Sequence, residues 1–153
     1  MSKNYWLFKA EPYIYGIEHL NAAPKKIGCW DGIRNYQARN FLRDQVAIGD
    51  EVFIYHSSCK NVGIVGTAKV VKAAYPDPTQ FNPESDYYDP KSTQELPRWV
   101  SVDIQVTKTF PRIISLAEIK AQTTLHNMVL VKQSRLSTQP VSKAEWNFIL
   151  KML

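Results

Sequence analysis

Cysteine is scarce: Cys29 and Cys59 are the whole complement, with no CxxC between them. That argues against a disulfide framework or a structural zinc site. The histidines, His19, His56 and His126, fall in unrelated segments without metal-ligand spacing, so no metal is expected. No GxGxxG or GxxxxGK[ST] stretch occurs, which removes the common phosphate-cradling loops. No apolar run approaches membrane length, and Met1 to Trp6 lacks the apolar core of a signal peptide. Runs of five like charges, internal repeats and linkers are all missing. These absences predict one domain over residues 1–153 with no membrane partner, in the reducing cytoplasm or, in a eukaryotic source, the nucleus.

What is present suits a globular chain. At 153 residues there is room for a real core, and 44% hydrophobic against 22% charged residues speaks against disorder. The 19 lysines and arginines exceed the 14 acids, giving +5. That permits a polyanionic partner without demanding one. Aromatics reach 12%, enough to supply stacking surfaces as well as core.

Tyr5 to Lys9 reads as a buried strand, ended where Glu11 precedes Pro12. Ile17 to Asn21 suggests one helical turn, and Lys25 to Trp30 a short strand. Asp31-Gly32 is a turn signal. From Ile33 to Val46 the spacing predicts a helix, with Asn35, Arg39 and Arg43 four apart on one side. Further strands are expected over Glu51–His56, Gly63–Val71 and Trp99–Thr109, the last with the cleanest alternation. The small residues Gly66 and Ala68 suggest that something packs close to their strand. The proline-rich stretch from Tyr75 to Pro97 carries Phe81, Tyr87 and Tyr88 and reads as an ordered flap. Ser115-Leu-Ala-Glu118 and Ser142-Lys-Ala-Glu145 are capping boxes that open helices. The polar run Ser134 to Pro140 would rim a pocket. Short connections point to antiparallel strands with helices at the periphery, an α+β fold of small mixed barrel type.

The chemistry-bearing residues favour binding over catalysis. His56 and Cys59 are three apart but lack an orienting third group. The carboxylates Asp77, Glu84, Asp86 and Asp89 are strung along the flap with nothing fixing a pair. No catalytic residue and no cofactor is expected. Trp30, Trp6, Tyr55 and Tyr36 are candidate plates on which a base would stack for roughly 1–3 kcal/mol. Asn35, His56, Ser57 and Gln139 offer donors and acceptors for a base edge. Arg34, Arg39, Arg43 and Arg135 would meet phosphate. The alternative is plain: aromatics at strand ends are core, and arginines along a helix are a solvated face.

Several stretches together resemble the EVE domain family: Tyr5-Trp-Leu-Phe-Lys-Ala-Glu-Pro12, Trp30 to Asn40, Phe53-Ile-Tyr-His-Ser57, Gly63-Ile-Val-Gly66, Tyr75-Pro-Asp77 and Ser134 to Val141. They span nearly the whole chain. The resemblance implies a single PUA-like domain, a small mixed β-barrel with peripheral helices. It also implies a pocket for a modified nucleobase, a modified cytosine in DNA first and a modified base in tRNA or rRNA second. A small-molecule enzyme using the same pocket is the third reading. On this resemblance Trp30 is a stacking wall, while Lys9, Asn35, Tyr55, His56 and Ser57 line the floor or read the edge. Arg135, Ser137 and Gln139 form the opposite lip, and Arg39 and Arg43 meet phosphate. Ala10 departs from the family's frequent serine. Nucleic acid is the expected partner and a monomer the expected state. Trp30→Ala is expected to remove any modification preference with the fold left standing.

Overall fold

The computed structural model describes residues 3–133 and 135–153. Met1, Ser2 and Ser134, the first residue of the expected rim, lie outside them. Strands β1 (Tyr5–Ala10), β2 (Ile27–Trp30), β3 (Glu51–His56), β4 (Gly63–Pro76), β5 (Val100–Ser115) and β6 (Thr138–Val141) form one sheet in the order β2-β5-β4-β3-β1-β6. Helices α1 (Pro12–Tyr15), α2 (Ile17–Ala22), α3 (Tyr36–Asp44), α4 (Leu116–Lys120), α5 (Val129–Lys132) and α6 (Lys143–Leu150) flank it. The α+β class expected from the sequence is present.

Two expectations need amendment. β1 pairs with β3 in parallel, Tyr5 opposite Glu51 through Ala10 opposite His56. Parallel neighbours need a long crossover, and α1, α2, β2 and α3 supply it. The sheet is also not closed into a hydrogen-bonded barrel: its order ends at β2 and β6, each of four residues. Helix α3 packs against β4, β5 and β6.

Strand alternation divides the interior. Trp6, Phe8, Val52 and Ile54 enter one core with Trp30, Ala38 and Leu42. Leu7, Phe53 and Tyr55 enter the other with Ile114, Ile119 and Trp146. Both capping boxes form as the sequence predicts. Trp146 is core, its ring stacked on Phe53 at 3.8 Å. The close approach expected at Gly66 is real: a Cβ there would lie 2.5 Å from Ile17 Cδ1 and 2.4 Å from the Lys108 carbonyl oxygen.

The proline-rich stretch is an ordered flap held by one buried amide. Gln80 Nε2 donates to the carbonyls of Asp77 and Trp99, and its Oε1 accepts from Arg98 N, Trp99 N and the Ser92 hydroxyl. One side chain therefore ties the loop's two ends together and satisfies polar groups that would otherwise be costly to bury. Among the described residues no helix is long and apolar enough to cross a membrane.

Candidate functional site

A cavity of about 480 Å³ opens where β1 and β3 end. Its lining comes from five separate segments. The end of β1 supplies Lys9, Ala10 and Glu11; the turn after β2 supplies Trp30, Asp31, Gly32 and Arg34; Ser57 follows β3; Arg135 and Ser137 precede β6. Backbone bonds lock these segments together: Lys9 N donates to Ser137 O at 2.9 Å, and Ser57 N to Ala10 O at 2.8 Å. Tyr15 of α1 and Tyr87 of the flap complete the walls. The volume lies within the roughly 300–1,000 Å³ of ordinary ligand sites.

Trp30 is the fixed wall. It is 3% exposed, with Phe8 at 5.8 Å and the edge-on Tyr15 at 6.0 Å between ring centroids. Burial of this depth makes Trp30 core as well as wall. The expectation that Trp30→Ala leaves the fold standing therefore does not suit its environment.

The turn behind Trp30 is clamped to the flap. Gly32 sits at φ +81°, and a Cβ there would meet the Tyr87 ring at 2.8 Å, so glycine is required twice over. The Asp77 carboxylate is fully buried and accepts from Gly32 N at 2.8 Å, Arg34 Nη1 at 3.0 Å, Thr79 N at 2.7 Å and the Thr79 hydroxyl. Arg34 also donates to the Tyr87, Ile33 and Thr79 oxygens and lies over the Tyr87 and Trp99 rings. Read from sequence as a phosphate ligand, its guanidinium is instead committed to holding flap against turn.

The electrostatics of the cavity are mixed. Burial pulls the Lys9 ammonium's pKa down, and its Nζ lies 5.6 Å from the centroid of the Tyr55 ring. Burial, with Asp77 adding to it and Arg34 opposing, lifts the carboxyl of Asp31. Burial also raises the Tyr15 and Tyr87 phenols.

Of the residues singled out from sequence, Trp30, Lys9, Ser57, Arg34, Arg135 and Ser137 line this cavity. The others stand elsewhere. Asn35 is exposed and caps α3, its Oδ1 accepting from Ala38 N at 2.9 Å; the helix thus starts at Tyr36 rather than Ile33. Tyr55 is buried in the core on the Phe53 and Trp146 side. Gln139 is fully buried, its Nε2 donating to Leu136 O at 2.7 Å and to Gln133 O at 3.4 Å. Arg39 stacks over Tyr36 at 4.8 Å and donates to Arg98 O, while exposed Arg43 pairs with Asp44 at 2.8 Å.

His56 faces a different cavity, of about 400 Å³, shared with Gly16, Ile17 and Phe110. Its Nε2 accepts from Ile17 N at 3.1 Å, so the fold needs the neutral ring. Burial pushes its pKa below the ordinary 6.5, with Glu18 opposing and His19 adding. The unfolded chain then takes up a proton that the folded one resists, so this contribution is intact above pH 6.5 and fades as pH falls below it. Urea midpoints should therefore drop between about pH 7 and pH 5, and less so in His56→Gln. An equal drop in the variant would remove His56 as the cause.

Sequence reasoning missed Tyr15, Asp31 and Tyr87 as lining residues. Asp31 carried a signal, standing beside Trp30 in the turn. Tyr87 had been noted only as a flap aromatic. A cavity of about 520 Å³ lies at the other end of β1, between Lys3, Asn4 and Lys143, and shares no residue with the Trp30 site. Among the described residues no group of three or more His, Cys, Asp or Glu is placed to hold a metal ion.

Comparison with known proteins adds three kinds of likeness. The family model for the EVE domain matches residues 4–152. Human Thymocyte nuclear protein 1 is 45% identical over 97% of this chain and 73% of its own length. An uncharacterized protein of Schizosaccharomyces pombe is 40% identical over 96% of this chain and 67% of its own. Among solved structures, human THYN1 protein in complex with 5-methylcytosine-containing DNA superposes with a TM-score of 0.94 at 44% identity, covering 98% of this chain and 97% of that one. A Pseudomonas syringae protein superposes at 0.92 with 47% identity, covering 97% and 98%.

Proposed function

The chain belongs to the EVE domain family, and from that premise we propose that it binds DNA by drawing one modified cytosine into the cavity beside Trp30. The observation carrying this reading is the cavity itself: an aromatic wall held rigid from behind, with Lys9 and Arg135 at its edges. A protein 44% identical and near-identical in fold is known in complex with 5-methylcytosine-containing DNA. Flipping a base costs a few kcal/mol, and stacking it returns roughly 1–3 kcal/mol. Contacts to the base edge and to phosphate must make up the difference. Lys9, Ser57 and Ser137 are the edge contacts in this proposal, and Arg135 is the phosphate contact. Arg39 and Arg43 stand outside the cavity and take no base. The proposed task is binding without catalysis. A DNA partner also suits a nuclear place in a eukaryote, as the names of the human and mouse relatives have it, and the cytoplasm where there is no nucleus.

Matched DNA duplexes with and without 5-methylcytosine, and an RNA counterpart, provide the test by fluorescence anisotropy. Burying one methyl is worth about 0.8 kcal/mol, so the methylated duplex should bind roughly fourfold better. Affinity should fall with salt, with Arg135→Ala flattening the slope by about one counterion. Equal, weak binding of every DNA would overturn the reading. Tighter binding of the RNA would redirect it to a modified RNA base.

A further inference from the structure

Resting on that reading, we propose that Asp31 selects the class of pyrimidine. Its carboxylate accepts a hydrogen bond from the exocyclic amine of a cytosine-type base and rejects the carbonyl that thymine or uracil carries in the same place.

The cavity offers few acceptors. Lys9 and Arg135 are donors only. Arg34 is tied to Asp77 and to Tyr87 O, and the Ser57 hydroxyl lies 3.4 Å from Ala10 O, to which it donates. Among the side chains lining the cavity, pure acceptors come down to Glu11 and Asp31. Glu11 is exposed, whereas Asp31 is half-buried and adjacent in the chain to the stacking wall. Its backbone is pinned on the other side, where Gly32 N donates to Asp77.

Asp31 and Asp77 also differ in what satisfies them. Asp77 holds a full set of donors from Gly32, Arg34 and Thr79. Among the described residues no other residue donates a hydrogen bond to the Asp31 carboxylate. A half-buried carboxylate with open lone pairs, disfavoured by burial and by a neighbouring like charge, gains from a donor brought by the ligand. Asp or Glu accepting from the cytosine amine is a recognised pairing chemistry, worth roughly 1–3 kcal/mol of discrimination. Thymine is the decisive comparison. It carries the same methyl as 5-methylcytosine and differs at this edge by presenting an acceptor to an acceptor.

The test places 5-methylcytosine, cytosine, thymine and 5-methyl-2-pyrimidinone, which lacks the amine altogether, at one position of an otherwise identical duplex. Wild-type protein should prefer 5-methylcytosine to thymine and to the pyrimidinone by roughly tenfold. Asp31→Asn should bring the 5-methylcytosine-to-thymine ratio to within about twofold of unity, because an amide can turn either its oxygen or its NH₂ to the base. Reading a ratio cancels the general gain in DNA affinity from removing a negative charge. Asp31→Ala should lose the same discrimination. If either variant, shown folded by its melting curve, keeps the tenfold ratio, Asp31 is not the reader; a retained preference for methylated over plain cytosine then leaves the pocket reading standing. The wild-type comparison is independent of variant folding: equal binding of the pyrimidinone and 5-methylcytosine overturns the assignment by itself. Loss of any distinction between methylated and plain cytosine in the wild type removes the pocket reading and this inference with it.

Discussion

Arg34→Met should destabilise the protein by about 3 kcal/mol, measured by urea denaturation. Deleting one partner of a buried ion pair costs about 3–5 kcal/mol because the other charge is stranded. Here the stranded group is Asp77, whose side chain is 0% exposed against 22% for Arg34. Asp77 keeps its bonds from Gly32 N, Thr79 N and the Thr79 hydroxyl, which places the cost at the lower end of that range. Removing both charges in Arg34→Met with Asp77→Asn should recover part of the loss. A change below about 1 kcal/mol, the scale of an exposed pair, would show that the clamp between turn and flap adds no more than a surface contact.

Trp30→Ala carries the second large effect. Removing a fully packed tryptophan costs about 3–5 kcal/mol, which for a chain of this length lowers Tm by roughly 6–20 °C. Loss of DNA binding in that variant would mix a missing wall with a loosened core. Trp30→Phe separates the two: it keeps a flat ring against Phe8 and Tyr15 and should melt within a few degrees of the wild type, while binding more weakly for want of ring area. A melting temperature unchanged in Trp30→Ala would mean that the ring contributes nothing to the core around it.

Much of this fold was legible because its signals are local. The capping boxes at Ser115 and Ser142 are short patterns with one physical meaning, and both form. Alternation in Val100 to Val106 likewise marks its strand. The parallel pairing of β1 with β3 was hidden, since it depends on where a long crossover returns the chain. Asn35 was misjudged for a related reason. Its spacing from Arg39 looked helical, but a short polar side chain at a helix start competes for the free amides, and it became the cap. The cavity was half legible. Alternation sends Tyr55 and His56 to opposite sides of β3, Tyr55 into the core with Phe53 and Trp146 and His56 toward Ile17, while Ser57, past the strand's end, lines the cavity. Arg34 and Asp77 are far apart in sequence, and nothing local announces that one neutralises the other.

The position of β1 bears on how the molecule is assembled. Its first residue, Tyr5, pairs with Glu51 on one side and with Val141 on the other. During synthesis the earliest strand must wait for the latest: β1 can find β3 midway through translation, but its far edge stays open until β6 emerges. Pairings of such long separation slow folding, and an open edge beside apolar Leu7 and Phe8 invites wrong partners. Trp30 leans on Phe8 of β1, and Ser137 just before β6 lines the same cavity, so the site is finished only when that last strand docks.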